Sequence, residues 1–260
     1  MIHNHWIKQY GLDAQYEIQD VSTTQVVDII NQIRTGTLQG CNVTIPHKQL
    51  VADLVDVIDK PAQLSQSINT LYMSGGKLHG TSTDGSGYLA HLKQTWPDFA
   101  VAGSNIILLG AGGAARSIAA ALLEEGVSRI HVVNRTLQKA EILADMNPAV
   151  MSAATQDDLS RLVPAADLII NTTSLGTGGK GEFDCPLELA PDHCIISDIV
   201  YVPLETPMLA RAHKLGLPTL DGLGMLLHQA VEGFRLWFGV TPEVTPELRK
   251  LLEQDIAHHG

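Results

Sequence analysis

The amino-acid sequence predicts an α/β protein with two domains. Apolar runs with strand-like spacing alternate with runs of helical spacing from residue 12 onward, and a second such series starts at Asn105. Pro97 and Asp98 end the first series. At 260 residues the chain is long enough for two hydrophobic cores. We therefore expect one domain over residues 1–98, completed by helices within 223–260, a second over 99–222, and an active-site cleft between them.

Composition and charge argue against several classes of protein. The formal net charge is −11 and no basic tract occurs, so nucleic acid or an anionic membrane surface would be bound against overall repulsion. No apolar run reaches the roughly 18 residues that span a bilayer, and the first residues lack a signal-peptide core, which predicts a cytoplasmic protein. The three cysteines form no CxxC pair and predict free thiols. The 11 histidines show no convincing ligand spacing, so we expect no metal site.

The first series alternates as the strands and helices of a parallel α/β layer do. Its predicted elements are a strand over 14–21, a helix over 23–36, a strand over 42–46, a helix after Pro46 with apolar residues up to Ile58, two short strands within 68–83 around a turn at 74–77, and a helix from about Gly85 to Trp96.

The second series contains a complete strand-helix-strand unit between Asn105 and Arg135. Its predicted elements are a buried strand over 105–110, an Ala-rich helix over 112–126, strands over 129–135, 167–173 and 194–201, a short strand over 218–222, and a final helix over 224–239.

A glycine-rich turn follows the first strand of this unit and opens its helix. In Gly110-Ala111-Gly112-Gly113-Ala114-Ala115, Gly110 allows a tight turn and Gly112 lets the backbone approach a pyrophosphate. The start of the helix presents free N–H groups and a partial positive charge to such an anion. The pattern predicts a bound dinucleotide; the alternative is a glycine turn with only a structural role.

The end of the next strand indicates which dinucleotide is bound. Asn134, Arg135 and Thr136 stand 24 to 26 residues after Gly110, where an NAD enzyme usually carries Asp or Glu. A carboxylate would repel a ribose 2′-phosphate, whereas a guanidinium and a hydroxyl would bind it. These residues favour NADP over NAD; the alternative is that Arg135 is a surface charge.

Two charged residues of the first series have both a functional and an ordinary interpretation. Lys48 stands where the strand before Pro46 ends, and strand ends are where α/β folds bind ligands, so its ammonium could donate a proton. From this segment alone, a solvated first-turn lysine is the favoured interpretation, because most lysines are exposed. Asp84 precedes Gly-Ser-Gly and an apolar helix, so it could be only an N-cap.

Eight motifs in this order resemble those of the shikimate dehydrogenase family and cover nearly the whole chain. They are NVTIPHK (42–48), INT (68–70), STDGSG (82–87), LLGAGGAARS (108–117), VVNRT (132–136), IINTTSLG (169–176), DIVYVPLETPML (198–209) and DGLGMLLHQAVEGFRLWFG (221–239).

The resemblance implies a reversible, NADPH-dependent reduction of 3-dehydroshikimate to shikimate on the pathway to aromatic amino acids. Lys48 and Asp84 would be the catalytic pair, with Lys48 as general acid and base. The residues around the substrate would be Thr44, Asn69 and Gln229, which would bond its hydroxyls, and Tyr201, which would lie near its ring.

For the cofactor, the resemblance assigns Gly110, Ala111, Gly112, Gly113 and Ala114 to the pyrophosphate, and Asn134, Arg135 and Thr136 to the 2′-phosphate. It assigns Thr172, Ser174, Ile199, Gly222 and Met225 to the nicotinamide end. By its position alone Met225 would be a core residue of an apolar helix, and Thr172 would cap a turn.

The chain departs from the family pattern in two places. The family's first strand and its Ser-x-Ser-Pro motif, whose hydroxyls bind the substrate carboxylate, do not precede Met1. We expect a preceding amino-terminal segment, because loss of a central strand would leave strand edges unpaired. Ser82 also replaces the usual Asn of Asn-Thr-Asp-Gly.

These departures keep two other functions open, a related enzyme acting on quinate or another cyclohexane carboxylate, and an NADP-binding module without turnover. The expected partner is a small-molecule substrate, and a homodimer is one option for the assembly.

Overall fold

The structure, a computed structural model, describes residues 1–44, 46–48 and 50–259 and has an α/β fold with two sheets. The first sheet has four strands and the second has six. Within the described ranges, no helix is both long enough and apolar enough to cross a membrane. The predicted fold class is confirmed.

The first sheet and its helices are built from residues 2–95. Their bounds are α1 (Ile2–Gln9), α2 (Val26–Thr35), β1 (Gly40–Asn42), a 3-10 turn (Leu50–Asp53), β2 (Val57–Ile58), α3 (Lys60–Ser65), β3 (Thr70–Ser74), β4 (Lys77–Thr81) and α4 (Asp84–Thr95). The predicted helix over 23–36, the paired strands within 68–83 and the helix that ends near Trp96 are confirmed.

The prediction of a parallel first sheet is wrong. The strand order is β1-β3-β4-β2, and both the β1–β3 and the β3–β4 pairs are antiparallel; only β2 runs parallel to β4. The β3–β4 pair is antiparallel because a short turn joins the two strands, in which Gly75 and Gly76 adopt φ values of 56° and 76°. Such a turn returns the chain beside the strand it has just left.

Two predicted elements of the first series are also wrong. Residues 14–21 form no strand, and Ile18 is 95% exposed there, so the run buries no apolar face. The helix expected up to Ile58 is replaced by a turn, the 3-10 turn and β2, because the Asp56 and Asp59 amides bond to carbonyls of β4 instead. The predicted strand 42–46 is β1, shifted to Gly40–Asn42; Ile45 lies outside the described residues.

The second sheet begins at residue 105 and matches its prediction more closely. The elements are β5 (Asn105–Leu109), α5 (Gly113–Glu124), β6 (Arg129–Val133), α6 (Leu137–Ala144), β7 (Met151–Ala154), α7 (Leu159–Leu162), β8 (Leu168–Asn171), β9 (Ile195–Asp198), α8 (Pro207–Lys214), β10 (Thr219–Leu220), α9 (Gly222–Phe238) and α10 (Pro246–His259). Short 3-10 turns lie at Gln156–Asp158, Val163–Ala165, Thr177–Gly179 and Leu187–Leu189.

All neighbouring strands of the second sheet run parallel, in the order β10-β9-β8-β5-β6-β7. The winding of the sheet reverses between β5 and β8, and parallel α/β sheets bind ligands outside the carboxyl ends of the strands at such a point. Apolar clusters cover both faces: α4, α5, α6 and α9 contribute to one, and α7 and α8 to the other. The glycine-rich turn follows β5 and therefore lies where the winding of the sheet reverses.

Glycines allow α4 to pack closely against α9. A Cβ atom at Gly87 would lie 2.6 Å from the Gln229 backbone nitrogen, and one at Gly224 would lie 2.0 Å from Nδ1 of the His91 ring. Because Asp84 begins α4 and Gln229 belongs to α9, this close packing brings the two side chains to one place.

Candidate active site

A lysine and an aspartate form an ion pair beside the four-stranded sheet. Lys48 Nζ lies 2.8 Å from Asp84 Oδ2, and the side chains are 26% and 7% exposed. Asp84 is the first residue of α4, where a carboxylate also faces the positive end of the helix. The two residues that had both a functional and an ordinary interpretation are therefore in direct contact.

The backbone around Lys48 is tied to two distant segments. The Ile68 amide donates to the Lys48 carbonyl at 3.2 Å, and the His47 ring Nε2 lies 2.7 Å from the Val21 carbonyl. The His47 amide donates to the Thr44 carbonyl, which closes the turn after β1. These contacts keep the lysine at the end of the strand rather than on a solvated helix.

Asn69 connects the ion pair to the sheet. Its Oδ1 accepts from the Thr83 amide at 2.9 Å and from the Thr70 hydroxyl at 2.9 Å. Its Nδ2 donates to Asp84 Oδ1 at 2.7 Å, and Gln229 Oε1 lies 3.5 Å away. In all, three donors surround Asn69 Oδ1 and three acceptors surround Asn69 Nδ2. This leaves one orientation of the amide, with its N–H groups toward Asp84.

The six residues predicted around the reaction centre line one cavity of about 490 Å³. They are Thr44, Lys48, Asn69, Asp84, Tyr201 and Gln229. The sequence reasoning missed His3, Tyr16 and Asn42, which line the same cavity. Asn42 lies within the NVTIPHK motif and could have been found there. No motif marked Tyr16 as a site residue, and its segment was predicted to be a strand.

Burial keeps two other ionisable side chains of this cavity uncharged near neutral pH. It lowers the pKa of His3 to about 4 and raises the pKa of Tyr16 to about 12. Neither side chain exchanges a proton near pH 7. The ammonium of Lys48, held by a carboxylate and open to the cavity, is the group placed to give a proton to a bound molecule.

A second set of predicted residues meets at the carboxyl edge of the six-stranded sheet. In the strand register, Leu109 lies opposite both Val133 and Asn171, and Asn171 lies opposite Asp198. The residues that follow these strand ends must then lie side by side. They are Gly110, Asn134, Thr172 and Ile199, all predicted cofactor residues.

The glycine-rich turn leaves its backbone accessible at the start of α5. Gly110 has a φ of 105°, and a Cβ there would lie 2.7 Å from the Thr172 hydroxyl, which donates to the Leu109 carbonyl. Gly112 has open space where a side chain would be and precedes the first turn of α5. The first amides of a helix lack partners within the helix, so this turn fits an anion.

The predicted 2′-phosphate residues follow β6. Asn134 Nδ2 donates to the Thr136 carbonyl at 2.9 Å, and Arg135 and Thr136 are exposed. The Arg135 guanidinium takes part in none of the ion pairs found among the described residues. An anion at this strand end would therefore meet a guanidinium that has no carboxylate partner.

The residues predicted at the nicotinamide end have clear packing contacts. A Cβ at Gly222 would lie 2.3 Å from the Ile199 carbonyl oxygen, so α9 starts directly against the loop after β9. Met225 belongs to the apolar cluster on that face of the sheet, and Ile199 packs against it. Ser174 is exposed in the loop after β8. These contacts place the start of α9 beside the loop after β9.

A larger cavity, of about 550 Å³, lies on the other side of α9 and contains none of the predicted site residues. Its charged side chains are already paired: Arg249 donates to Asp221 at 2.6 Å and to Glu253 at 2.8 Å. The chemistry points to the smaller cavity. Across the described ranges, no group of three or more His, Cys, Asp or Glu residues could hold a metal ion.

Three family models match consecutive parts of the chain. The shikimate dehydrogenase substrate binding domain matches residues 1–71, shikimate / quinate 5-dehydrogenase matches 92–177, and the shikimate 5′-dehydrogenase C-terminal domain matches 222–250.

Similar proteins cover almost the whole chain. A shikimate dehydrogenase (NADP(+)) from Nitrobacter winogradskyi is 42% identical over 98% of this chain and 91% of its own length. The ligand-free 5-ketofructose reductase of Gluconobacter sp. strain CHM43 is 32% identical, with a TM-score of 0.88 over 100% of this chain and 92% of that one. The shikimate 5-dehydrogenase from Thermus thermophilus with NADP(H) and shikimate is 31% identical, with a TM-score of 0.83 over 99% and 92%. The chain belongs to the shikimate dehydrogenase family.

Proposed function

We propose that this member of the shikimate dehydrogenase family catalyses the reversible, NADPH-dependent reduction of 3-dehydroshikimate to shikimate, a step of aromatic amino acid biosynthesis. The observation that carries the proposal is the Lys48–Asp84 ion pair in a cavity that also contains Asn69 and Gln229. A cofactor sensor without turnover has no use for such a polar set away from its glycine-rich turn.

The cofactor would be held by residues at the carboxyl edge of the six-stranded sheet. The amides of the turn from Gly110 to Ala114 would bind the pyrophosphate, and Asn134, Arg135 and Thr136 would bind the 2′-phosphate. The nicotinamide end would lie against Thr172, Ser174, Ile199, Gly222 and Met225. When bound, NADPH supplies the hydride that the protein's own side chains cannot provide.

Lys48 acts as the general acid of the reduction. A ketone that gains a hydride develops negative charge on its oxygen, and the Lys48 ammonium stabilises this charge and donates a proton to it. In the reverse direction the neutral amine takes the proton from the hydroxyl. Asp84 keeps the ammonium in place through the 2.8 Å contact, while Asn69 keeps the carboxylate in place through its 2.7 Å bond.

The remaining predicted residues would orient the substrate ring. The amides of Asn69 and Gln229 and the hydroxyl of Thr44 line the cavity and can bond to ring hydroxyls, and Tyr201 supplies an aromatic wall. This arrangement suits a small polyhydroxylated molecule. An ordered set of such contacts would select one ring stereochemistry, because each displaced hydroxyl leaves a polar group of the site without a partner.

We also propose a domain division at about residues 98 and 222, with residues 223–260 completing the first domain. The two separate sheets support it, and so does the apolar cluster of the four-stranded sheet, whose residues all lie before residue 98. We place the protein in the cytoplasm, which its three free cysteines favour. A homodimer stays a prediction.

Reduction of another ketone is the second candidate. The similarity to a 5-ketofructose reductase supports it, because the Lys48–Asp84 chemistry serves any ketone that the cavity accepts. Quinate, which resembles shikimate, is a further candidate substrate.

The test is steady-state turnover with each substrate alone. NADP⁺ reduction would be followed with shikimate and with quinate, and NADPH oxidation with 5-ketofructose. We expect shikimate to give the highest kcat/KM. A preference for 5-ketofructose or quinate would replace the proposed substrate, and NADP⁺ binding without any turnover would contradict an enzymatic role.

A further inference from the structure

A chain of side-chain hydrogen bonds runs from Tyr16 into the active site. The Tyr16 hydroxyl donates to Asn42 Oδ1 at 2.9 Å, and Asn42 Nδ2 donates to the Thr70 hydroxyl at 3.1 Å. Thr70 donates to Asn69 Oδ1 at 2.9 Å. Asn69 then bonds Asp84, the partner of Lys48. The chain thus links the segment before α2 to the proposed proton donor.

The first bond of this chain agrees in direction with all the bonds that follow it. A phenol can donate only one proton, and when Tyr16 gives it to the Asn42 oxygen, the NH₂ group of Asn42 must face Thr70. The Thr70 oxygen then accepts, so its own proton points to Asn69 Oδ1. Asn69 is left with its NH₂ group toward Asp84. Tyr16 therefore reinforces the only amide orientation that supports the carboxylate.

Tyr16 is itself firmly held. Asn4 bonds both the amide and the carbonyl of Tyr16, each at 2.8 Å. The His3 ring stacks on the Tyr16 ring with centroids 4.3 Å apart. Because burial raises the pKa of Tyr16 to about 12, the phenol keeps its proton throughout the pH range of an assay.

We propose that Tyr16 is a positioning residue of this enzyme, which acts through Asn42 and Thr70 to fix the Asn69 amide against Asp84 and so to hold Lys48 for proton transfer. The inference rests on the proposed function for its kinetic effect, but the hydrogen-bond chain can be tested without it. Tyr16 lines the cavity and makes no contribution to the charge of the catalytic pair.

The first test compares Tyr16→Phe with Tyr72→Phe. Both variants lose one hydroxyl that donates a hydrogen bond, since Tyr72 donates to Asp59 Oδ2 at 2.7 Å, but Tyr72 does not line the cavity. We expect Tyr16→Phe to lower kcat with shikimate about threefold to tenfold, the usual effect of one hydrogen bond. The KM for NADP⁺ should not change. The primary isotope effect with shikimate deuterated at the reacting carbon should increase.

A double-mutant cycle tests whether the effect passes through Thr70. If Tyr16 acts by way of Asn42 and Thr70, the losses of kcat in Tyr16→Phe and Thr70→Val should not add in the double variant. Additive losses, or equal losses in Tyr16→Phe and Tyr72→Phe, would overturn the proposal. Thr70→Ser, which keeps the hydroxyl, should retain the activity and excludes a general folding defect.

A measurement on the resting protein separates this proposal from the proposed function. The side-chain amide signals of Asn69, assigned by their loss in Asn69→Ser, should shift in the NMR spectrum of Tyr16→Phe and not in that of Tyr72→Phe. Unchanged Asn69 signals would overturn the positioning role, even if the wild-type protein reduces NADP⁺ with shikimate. If the Asn69 signals shift but the wild-type protein is inactive on shikimate, the hydrogen-bond chain from Tyr16 is supported and only the assignment of shikimate as the substrate is refuted.

Discussion

The two sheets of this protein are suited to bind their ligands by different means. At the edge of the six-stranded sheet, the expected anion contacts are backbone amides after Gly110, placed by strand register and by one tight turn. Beside the four-stranded sheet, the contacts are side chains from separate segments, among them Lys48, Asn69, Asp84 and Gln229. The expected pyrophosphate contacts are local in sequence, and the substrate contacts come from segments that the fold brings together.

This difference determines how each site should respond to substitution. Backbone amides cannot be removed by a side-chain change, so single replacements in the cofactor region should alter affinity by moderate factors. In the substrate region Lys48, Asp84 and Asn69 are bonded in series, and removal of one side chain leaves its neighbour without that bond. Losses there should be larger and should appear in turnover rather than in cofactor affinity.

The largest expected effect is the loss of the proton donor. Replacement of Lys48 by methionine keeps most of the apolar stem but removes the ammonium, and we expect kcat to fall by about 10² to 10⁴-fold, the usual contribution of general acid-base catalysis. The affinity for NADP⁺ should change little, because Lys48 lies beside the four-stranded sheet, whereas the predicted cofactor residues lie at the edge of the six-stranded sheet. Single-turnover and steady-state kinetics would give the first quantity, and fluorescence titration the second.

Lys60→Met is the matched control for that experiment. Lys60 also pairs with a carboxylate, Glu124 at 2.6 Å, but its side chain is 72% exposed. Its loss should leave turnover within about twofold, since exposed ion pairs contribute little. Unaltered turnover in the Lys48 variant would refute its role as the proton donor and with it the contrast between the two sites.

The second effect concerns the pH dependence of stability. Burial lowers the pKa of His3 from 6.5 to about 4, so this side chain is neutral in the folded state and takes up a proton more readily when unfolded. The contribution of neutral His3 to the free energy of unfolding is fully present above pH 6.5 and is lost as the pH falls toward 4. The difference between the unfolded and folded pKa corresponds to a loss of about 3 kcal/mol. The free energy of unfolding from urea titrations should therefore decrease between pH 7 and pH 4.5.

His3→Phe should remove part of this dependence, because phenylalanine retains the ring contacts with Trp6 and Tyr16 and carries no titratable group. Burial also lowers the pKa of His91 to about 4, so the remaining slope should not vanish. The exposed His258 serves as the control, and His258→Gln should leave the slope as in the wild type. An equal slope in all three proteins would show that His3 does not contribute to the acid dependence of stability.

The same contrast explains which parts of the structure could be predicted from sequence. The β5–α5–β6 unit was predicted within a few residues, because its buried strands are continuous apolar runs and Gly110 marks the turn. The Lys48–Asp84 contact was expected from family motifs, and neither the spacing nor the local pattern of the residues could provide it. Asn134 and Thr172 lie at the same edge as Gly110 because of the strand register, and their separation along the chain does not reveal this proximity.

The errors lie where tertiary contacts outweigh local pattern. Ile58 has helical spacing with Leu54 and Val55, yet β4 pairs with its strand, and the amides around it bond to β4 carbonyls. The close approach of α4 and α9 depends on Gly87 and Gly224, and a glycine within a helix gives no sequence signal about which helix it faces. Tyr16 was missed because the residues it bonds, Asn4 and Asn42, lie 12 and 26 residues away along the chain.

The last prediction tests the cofactor side of the comparison. Arg135→Asp should weaken NADP⁺ binding about tenfold to a hundredfold, the usual value of a charge-assisted contact, and should leave NAD⁺ binding nearly unchanged. Arg129→Asp is the matched control, since Arg129 begins the same strand that Arg135 follows, and the charge change is identical. If the cofactor lies at the carboxyl edge of the sheet, only the Arg135 variant should change the ratio of the two dissociation constants. Equal losses for NADP⁺ and NAD⁺, or equal losses in both variants, would mean that long-range charge and not a 2′-phosphate contact at Arg135 favours NADP.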